Sequence, residues 1–234
     1  MRTFIIFLLL LLSLNIFAQN ATEQLHQYTS EIYGTDDILV NGTTYRPLHP
    51  IASGDPFFIN GVFVHGQLNL KGRSFQNVLL KFDIEQQKLI LKHFVDGAKF
   101  ELIAFNNNYI KSFSLHGRFF VNIDDLIKND KAKGFYELIY QGDFLFVREY
   151  KKVFVSTFSD KYPYGKYSDT KTTNFLFLEG EKFKISKKKD LYNLFPQHKV
   201  LIKKFMKGHK IKLRKSNNNK LNILMQYCDE ISTK

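Results

Sequence analysis

Five dipeptides that end in glycine are spaced along the chain, and each lies beside a run of alternating apolar residues. They are Asn41-Gly42, Lys71-Gly72, His116-Gly117, Gln141-Gly142 and Glu179-Gly180. Glycine readily adopts the positive φ that tight hairpin turns and their bulges require, and Asn-Gly is the strongest such signal. Short turns favour antiparallel pairing, because parallel strands need long crossover connections. The pattern therefore predicts a chain built largely from hairpins, the first of them with a strand at residues 38–40.

The strands are predicted from apolar side chains at every second position. Residues 78–84 are the clearest case, with four apolar side chains on one face and charged residues on the other. Similar runs occupy residues 89–94, 100–105, 109–115, 135–140, 144–150, 153–158 and 175–183, with a loop at residues 159–174. A long meander has to curl, close or pack, because bare sheet edges promote aggregation. Residues 37–185 are therefore expected to form a mainly β domain, an antiparallel meander arranged as a curled sheet, a sandwich or a barrel.

The C-terminal segment, residues 186–234, has helical spacing and is expected to pack on the β domain. Ser186 is a candidate N-cap for a short first helix, Pro196 suits the first turn of a second, and Gly208 is placed for its C-cap. Apolar residues share one face of that second helix and lysines share the other. Its apolar face comprises Leu201, Ile202, Phe205 and Met206, and the last helix offers Leu221, Leu224, Met225 and Cys228.

The formal net charge of +12 is concentrated in this segment. Between Lys182 and Lys215 the chain has thirteen basic residues and one acid, while the rest holds 21 of each sign. A basic amphipathic helix suits an anionic membrane surface, and the alternative is a solvated lysine face. Arg214 is the only arginine of the segment, which argues against nucleic acid, because its readers favour arginine. The candidate anion-contact residues are Lys199, Lys203, Lys204 and Lys207.

The first eighteen residues have the tripartite pattern of a secretory signal. Arg2 supplies a positive start, an apolar run follows, and Ala18 stands where a signal peptidase cuts. Residues 1–18 are thus predicted to be a signal peptide cleaved after Ala18, and residues 19–36 a lead-in. No second long apolar run follows, so no transmembrane helix is expected in the mature chain. The expected location is the periplasm or the cell surface.

Three segments of the C-terminal half resemble a family of uncharacterised exported proteins from Gram-negative bacteria. They are residues 135–142 (FYELIYQG), 175–180 (FLFLEG) and 187–196 (KKKDLYNLFP). The resemblance implies a strand pair, a lysine-rich link and C-terminal helices in an exported protein. It implies no activity and no catalytic residues.

No motif for metal or nucleophilic chemistry is present in the sequence. The seven histidines lack metal-ligand spacing, although His65 and His93 are candidates for an approach across strands. Cys228 is the only cysteine, which excludes an intramolecular disulfide and a site made of several cysteines. The acid pairs Asp36-Asp37 and Asp124-Asp125 have the residue type that a glycosidase uses, but loop acids are usually solvated. No metal and no cofactor are predicted.

These features favour a non-enzymatic exported protein with a binding or scaffolding role at the cell envelope. The expected partner is an anionic envelope surface or an unidentified protein. One alternative is a carrier of a small apolar ligand inside a closed β-barrel, which the abundance of phenylalanine suits. Another is an enzyme whose site is assembled from distant strands.

Overall fold

The computed structural model describes residues 36–59, 61–96, 99–127 and 133–232. The chain divides into two units, Met1–Asn41 and Gly42–Lys234. The predicted signal peptide, its cleavage after Ala18 and almost all of the lead-in lie outside the described residues.

The described part of the first unit is one helical turn, α1 (Asp37–Val40). The carboxylate of Asp36 accepts a hydrogen bond from the backbone N–H of Ile38 at 2.9 Å. An aspartate in this position satisfies a first-turn amide that would otherwise lack a partner, and so it favours a helix start. The strand predicted at residues 38–40 is therefore wrong.

The second unit contains an eleven-stranded antiparallel sheet and a separate two-stranded pair, β10–β11. The order in the sheet is β1-β5-β4-β3-β2-β6-β7-β8-β9-β12-β13, so the described strands form an open sheet. The mainly β, antiparallel fold predicted from the sequence is confirmed. The strands are β1 (Thr43–Thr44), β2 (Val64–Leu70), β3 (Arg73–Asp83), β4 (Lys88–Asp96), β5 (Lys99–Ala104), β6 (Ile110–Leu115), β7 (Arg118–Asn122), β8 (Phe135–Gln141), β9 (Leu145–Lys151), β10 (Phe154–Val155), β11 (Lys166–Tyr167), β12 (Lys171–Leu178) and β13 (Glu181–Lys184).

Four of the five residue–glycine pairs join neighbouring strands, as predicted. At Lys71-Gly72, His116-Gly117 and Glu179-Gly180 both residues have positive φ, between 50° and 78°. Two consecutive positive φ values define the type I′ turn, whose twist matches that of antiparallel strands. The loop predicted at residues 159–174 is wrong in part, because it contains β11 and the first four residues of β12.

The sheet curls around a core of phenylalanines. Phe82 on β3 lies with its ring centroid 5.8 Å from that of Phe135 on β8. Four strand spacings separate β3 from β8, which is about 19 Å in a flat sheet. Only a strongly curved sheet brings the two rings together, and Phe113 and Phe120 fill the space between the strands. Because the described strands form an open sheet and phenylalanine side chains fill its interior, the sheet is not the closed barrel that the apolar-carrier alternative requires.

A single helical turn, α2 (Ile123–Leu126), precedes β8, and its Ile123 packs in a cluster with Val147 and Phe177. Three longer helices cover the other face of the C-terminal strands, and they are α3 (Lys188–Leu194), α4 (Lys199–Gly208) and α5 (Asn218–Ser232). Phe146 of β9 and Leu176 of β12 are fully buried in one cluster with the inward side chains of α3, α4 and α5. All four apolar residues predicted for the last helix are buried, whereas Leu201 of α4 is 46% exposed. Among the described residues, no helix is both long and apolar enough to cross a bilayer.

The ends of the helices differ slightly from the predicted caps. Lys187, not Ser186, is the N-cap of α3. The carboxylate of Asp190 accepts hydrogen bonds from the backbone N–H groups of both residues, at 2.8 and 2.9 Å. These bonds and two nearby basic side chains outweigh burial and lower the pKa of Asp190. At the other boundary Gly208 is the last residue of α4, and His209 is the C-cap.

Candidate functional site

A cleft of about 440 Å³ opens between the sheet and the link that joins α4 to α5. Its lining comes from β9, from the start of β12, from the junction between β13 and α3, and from the link. The lining residues are Arg148, Thr172, Thr173, Asn174, Lys184, Ile185, Ser186, Leu213, Arg214, Lys215 and Ser216.

The cleft exists because β13 is shorter than its neighbour. β13 pairs with β12 only over Phe175–Leu178, so residues 171–174 have β9 on one side and no described strand on the other. The chain leaves β13 with a hydrogen bond from the Ile185 N–H to the Asn174 carbonyl at 2.9 Å. Buried Ile211 and Leu213 anchor the link in the helical core. The unpaired end of β12 and the anchored link thus form two walls of the cleft.

Four cationic side chains line this cleft, and none of its lining residues is acidic. They are Arg148, Lys184, Arg214 and Lys215. Four residues with hydroxyl groups, Thr172, Thr173, Ser186 and Ser216, also line the cleft. Hydroxyl groups and fixed cations together suit an anion, because both supply hydrogen-bond donors. The guanidinium Nε of Arg214 also donates to the Ser186 carbonyl at 3.0 Å, which links the two sides of the cleft entrance.

Arg148 is held from behind by a buried carboxylate. Its Nη1 lies 3.5 Å from Oε2 of Glu137 and donates to Oδ1 of Asn218 at 2.9 Å. Its Nε donates to Oδ1 of Asn174, also at 2.9 Å. These contacts orient the guanidinium, whose side chain is only 12% exposed.

Glu137 is the centre of this network. Its side chain is 1% exposed, and its Oε1 accepts from Arg118 at 2.8 Å and from Asn218 at 2.5 Å. Its Oε2 accepts from the hydroxyl of Tyr150 at 2.7 Å. Burial disfavours the charge of Arg118, but the hydrogen bond and the charge of Glu137 outweigh it and raise the pKa of Arg118. A buried carboxylate with this many donors is compensated, as a buried charge must be.

Tyr150 makes the network sensitive to alkali. Burial, followed by the hydrogen bond to Glu137 and its charge, raises the pKa of Tyr150 from 10 to about 12. The folded state thus holds this proton more tightly than the unfolded state. The corresponding stability is complete below pH 10 and is lost as the pH rises towards 12. We expect the free energy of unfolding, measured by urea titration, to fall over this range.

The matched variant for this prediction is Tyr150→Phe, which removes the titrating hydroxyl but keeps the ring. We expect a lower stability at pH 7 and a shallower loss of stability between pH 10 and 12. An unchanged alkaline slope in the variant would contradict the assignment of this dependence to Tyr150. Other tyrosines with raised pKa values, such as Tyr45 and Tyr136, account for the slope that remains.

The lysines chosen from the sequence do not line the cleft. Lys199, Lys203, Lys204 and Lys207 are exposed on α4. The acid pair Asp124-Asp125 is exposed on α2, and Asp36 caps α1. His65 stands opposite Leu79, whereas His93 stands opposite Glu101, so the two histidines are not cross-strand partners. In the described part of the chain, no three metal-ligating side chains come together.

His49 also lies near an acid. Nε2 of His49 is 3.9 Å from Oε1 of Glu85, which is beyond hydrogen-bond distance. The other oxygen of Glu85 accepts from the Tyr167 hydroxyl at 2.8 Å. The ring of His49 stacks on Phe154 at 3.6 Å. Burial and Glu85 raise the pKa of Tyr167, so its hydroxyl stays protonated and donates. This cluster fastens the segment before β2 to the β10–β11 pair.

The sequence contained two signals for the cleft that its periodicity did not reveal. Glu137 is a single acid within the apolar run of β8, and such a residue requires a cationic partner inside the fold. Arg214 is the one arginine of a lysine-rich segment, and arginine is the residue that binds anions through a planar fork. Neither signal indicates which distant residue is the partner.

The chain matches no protein-family model, no curated protein and no solved structure.

Proposed function

We propose that this chain is an exported cell-envelope protein that binds a small anionic ligand in the cleft and performs no catalysis on it. The observation that carries the proposal is the presence of four cations and no acid in one recess of about 440 Å³. Ligand-binding clefts usually have volumes of about 300–1,000 Å³. The location follows from the signal pattern of residues 1–18 and from the family resemblance.

The residue types favour a ligand with carboxylate or phosphate groups. Arginine pairs with both groups through two parallel N–H···O bonds, which give orientation as well as attraction. Arg148 is pre-oriented by Glu137 and Asn174, so little side-chain entropy is lost when it binds. Lys184 and Lys215 add point charges at the more exposed side of the cleft. A ligand with several negative charges therefore fits better than a monoanion.

The test is calorimetric titration with citrate and with inorganic pyrophosphate. The variant combines Lys184→Gln, Arg214→Gln and Lys215→Gln, which leaves the buried network intact. We expect binding of at least one probe to weaken about tenfold or more, because each partly exposed charge contributes about 0.5–1 kcal/mol. The matched control replaces Lys203, Lys204 and Lys207 with Gln, with the same change of charge, and should bind as the wild type does.

Equal weakening in the two triple variants would mean that only net charge matters, and it would overturn the cleft assignment. Absence of binding of both probes to the wild type would overturn the proposal for multiply charged small anions. The location is tested separately by cell fractionation and by mass spectrometry of the mature N-terminus. An N-terminus at Gln19 is expected, and a full-length cytoplasmic protein would overturn export.

A further inference from the structure

The outer face of α4 combines lysines with an exposed apolar side chain. Val200 is 76% exposed and Leu201 is 46% exposed. Lys203, Lys204 and Lys207 follow Val200 at the third, fourth and seventh positions. Residues at this spacing lie on one side of a helix, so Val200 stands at one end of a stripe of three lysines. We call these four residues and Leu201 the α4 outer face.

The opposite side of α4 is fixed to the protein. Ile202 and Met206 are buried in the core that α4 shares with α5 and the sheet. Phe205 stacks on Tyr227 of α5 with ring centroids 4.0 Å apart and an angle of 9°. The helix therefore cannot rotate to bury Val200 without losing these contacts. The α4 outer face is consequently presented to the surroundings as a permanent feature of the fold.

The lysine charges on this face are not neutralised within the described protein. The sequence of α4 contains no acid, and no described carboxylate forms an ion pair with Lys203, Lys204 or Lys207. Val200 and Leu201 place two exposed apolar side chains beside the three lysines. The combination suits a partner that presents anions at its surface and apolar groups just below.

We propose that the α4 outer face docks on an anionic lipid bilayer. Lipid headgroups supply the negative charge that the lysines require, and the boundary of the acyl chains accepts Val200 and Leu201. Nucleic acid fits less well, because the face has lysine but no arginine and because a phosphate backbone offers nothing to an exposed valine. This surface is distinct from the cleft, so the inference does not depend on the proposed ligand.

The experiment measures sedimentation of the protein with vesicles. The wild type should bind vesicles that contain phosphatidylglycerol and should dissociate from them at high salt. It should not bind vesicles of pure phosphatidylcholine. The variant with Lys203, Lys204 and Lys207 changed to Gln should bind about a hundredfold more weakly, since each lysine near an anionic bilayer contributes roughly a factor of five. The variant Val200→Ser should bind several-fold more weakly at unchanged charge.

The triple variant of the cleft, at Lys184, Arg214 and Lys215, is the matched control and should bind vesicles as the wild type does. Equal loss in both triple variants would overturn the assignment to α4. Wild-type affinity in the Val200→Ser variant would overturn the apolar contact and with it the bilayer as the specific partner. Stronger binding to duplex DNA than to anionic vesicles at the same salt would overturn the lipid assignment in favour of nucleic acid.

Discussion

Replacing Glu137 with Gln is expected to lower the free energy of unfolding by about 3–5 kcal/mol. The carboxylate is 1% exposed and receives hydrogen bonds from Arg118, Asn218 and Tyr150. Glutamine has nearly the same shape, but it leaves Arg118 and Arg148 without their buried counter-charge. The glutamine NH₂ group is also a hydrogen-bond donor, and it would face the donors of Arg118, Asn218 or Tyr150. The loss is measured by urea unfolding at pH 7, where the wild-type network is fully formed.

Glu149→Gln is the matched control for this substitution. Glu149 lies on β9, its side chain is 15% exposed, it pairs with the exposed Lys151 at 3.0 Å, and it accepts a hydrogen bond from the Tyr136 hydroxyl at 3.2 Å. Because such a pair contributes little and the glutamine carbonyl can still accept from Tyr136, we expect a loss of about 1 kcal/mol or less. A loss in Glu137→Gln that does not exceed the loss in Glu149→Gln would contradict a central role for the buried carboxylate. In an Arg118→Met background the effect of Glu137→Gln should become smaller, because two residues in contact do not act additively.

Replacing Phe82 with Ala is expected to cost about 3–5 kcal/mol as well, for a different reason. Phe82 is 1% exposed and contacts the rings of Phe113, Phe120 and Phe135 with centroid distances of 5.2–5.8 Å. Those three rings come from β6, β7 and β8, so Phe82 joins the two arms of the curled sheet. Its removal leaves a cavity that neighbouring strands cannot fill, since their positions are set by the sheet. Denaturant unfolding measures the loss.

The control for this substitution is Phe94→Ala on β4. Phe94 is 48% exposed, and within the described residues its ring meets that of Phe100 at 6.3 Å and the ammonium group of Lys92 at 5.1 Å. We expect a loss below about 1 kcal/mol, because an exposed ring has little transfer energy to lose. Similar losses at the two positions would show that the curl of the sheet does not depend on the phenylalanine core. A much larger loss at Phe82 would support the dependence of the curl on the phenylalanine core.

The two positions also show how the fold supports the cleft. Glu137 orients Arg148 from inside the sheet, while Asn218 at the start of α5 contacts both residues. The variant Glu137→Gln should therefore weaken anion binding in the cleft in addition to stability. Phe82 does not line the cleft, so Phe82→Ala should leave binding unchanged wherever the protein remains folded. The comparison separates loss of the site from loss of the fold.

Local patterns in the sequence were sufficient for most elements of the fold. A type I′ turn depends on two neighbouring residues, so Lys71-Gly72 and Glu179-Gly180 were correctly identified as hairpin turns. The buried face of α5 depends on residues three and four positions apart, and it was also predicted correctly. Asn41-Gly42 was misleading as a hairpin signal. The hydrogen bond from Ile38 to the Asp36 carboxylate starts α1, and residues 38–40 are therefore helical instead of forming the first strand of a hairpin. In each case the deciding interaction lies within a few residues.

The sequence by itself thus determined the antiparallel strands, the helical C-terminal segment and the place where the positive charge is concentrated. Only the tertiary structure decided that the sheet curls without closing, because the contact of Phe82 with Phe135 joins residues 53 positions apart. Only the tertiary structure brought Arg148 beside Arg214 and placed Glu137 behind it. Hairpin turns arise from local backbone preferences, whereas a cleft depends on side chains that meet only after the sheet and the helices have packed together.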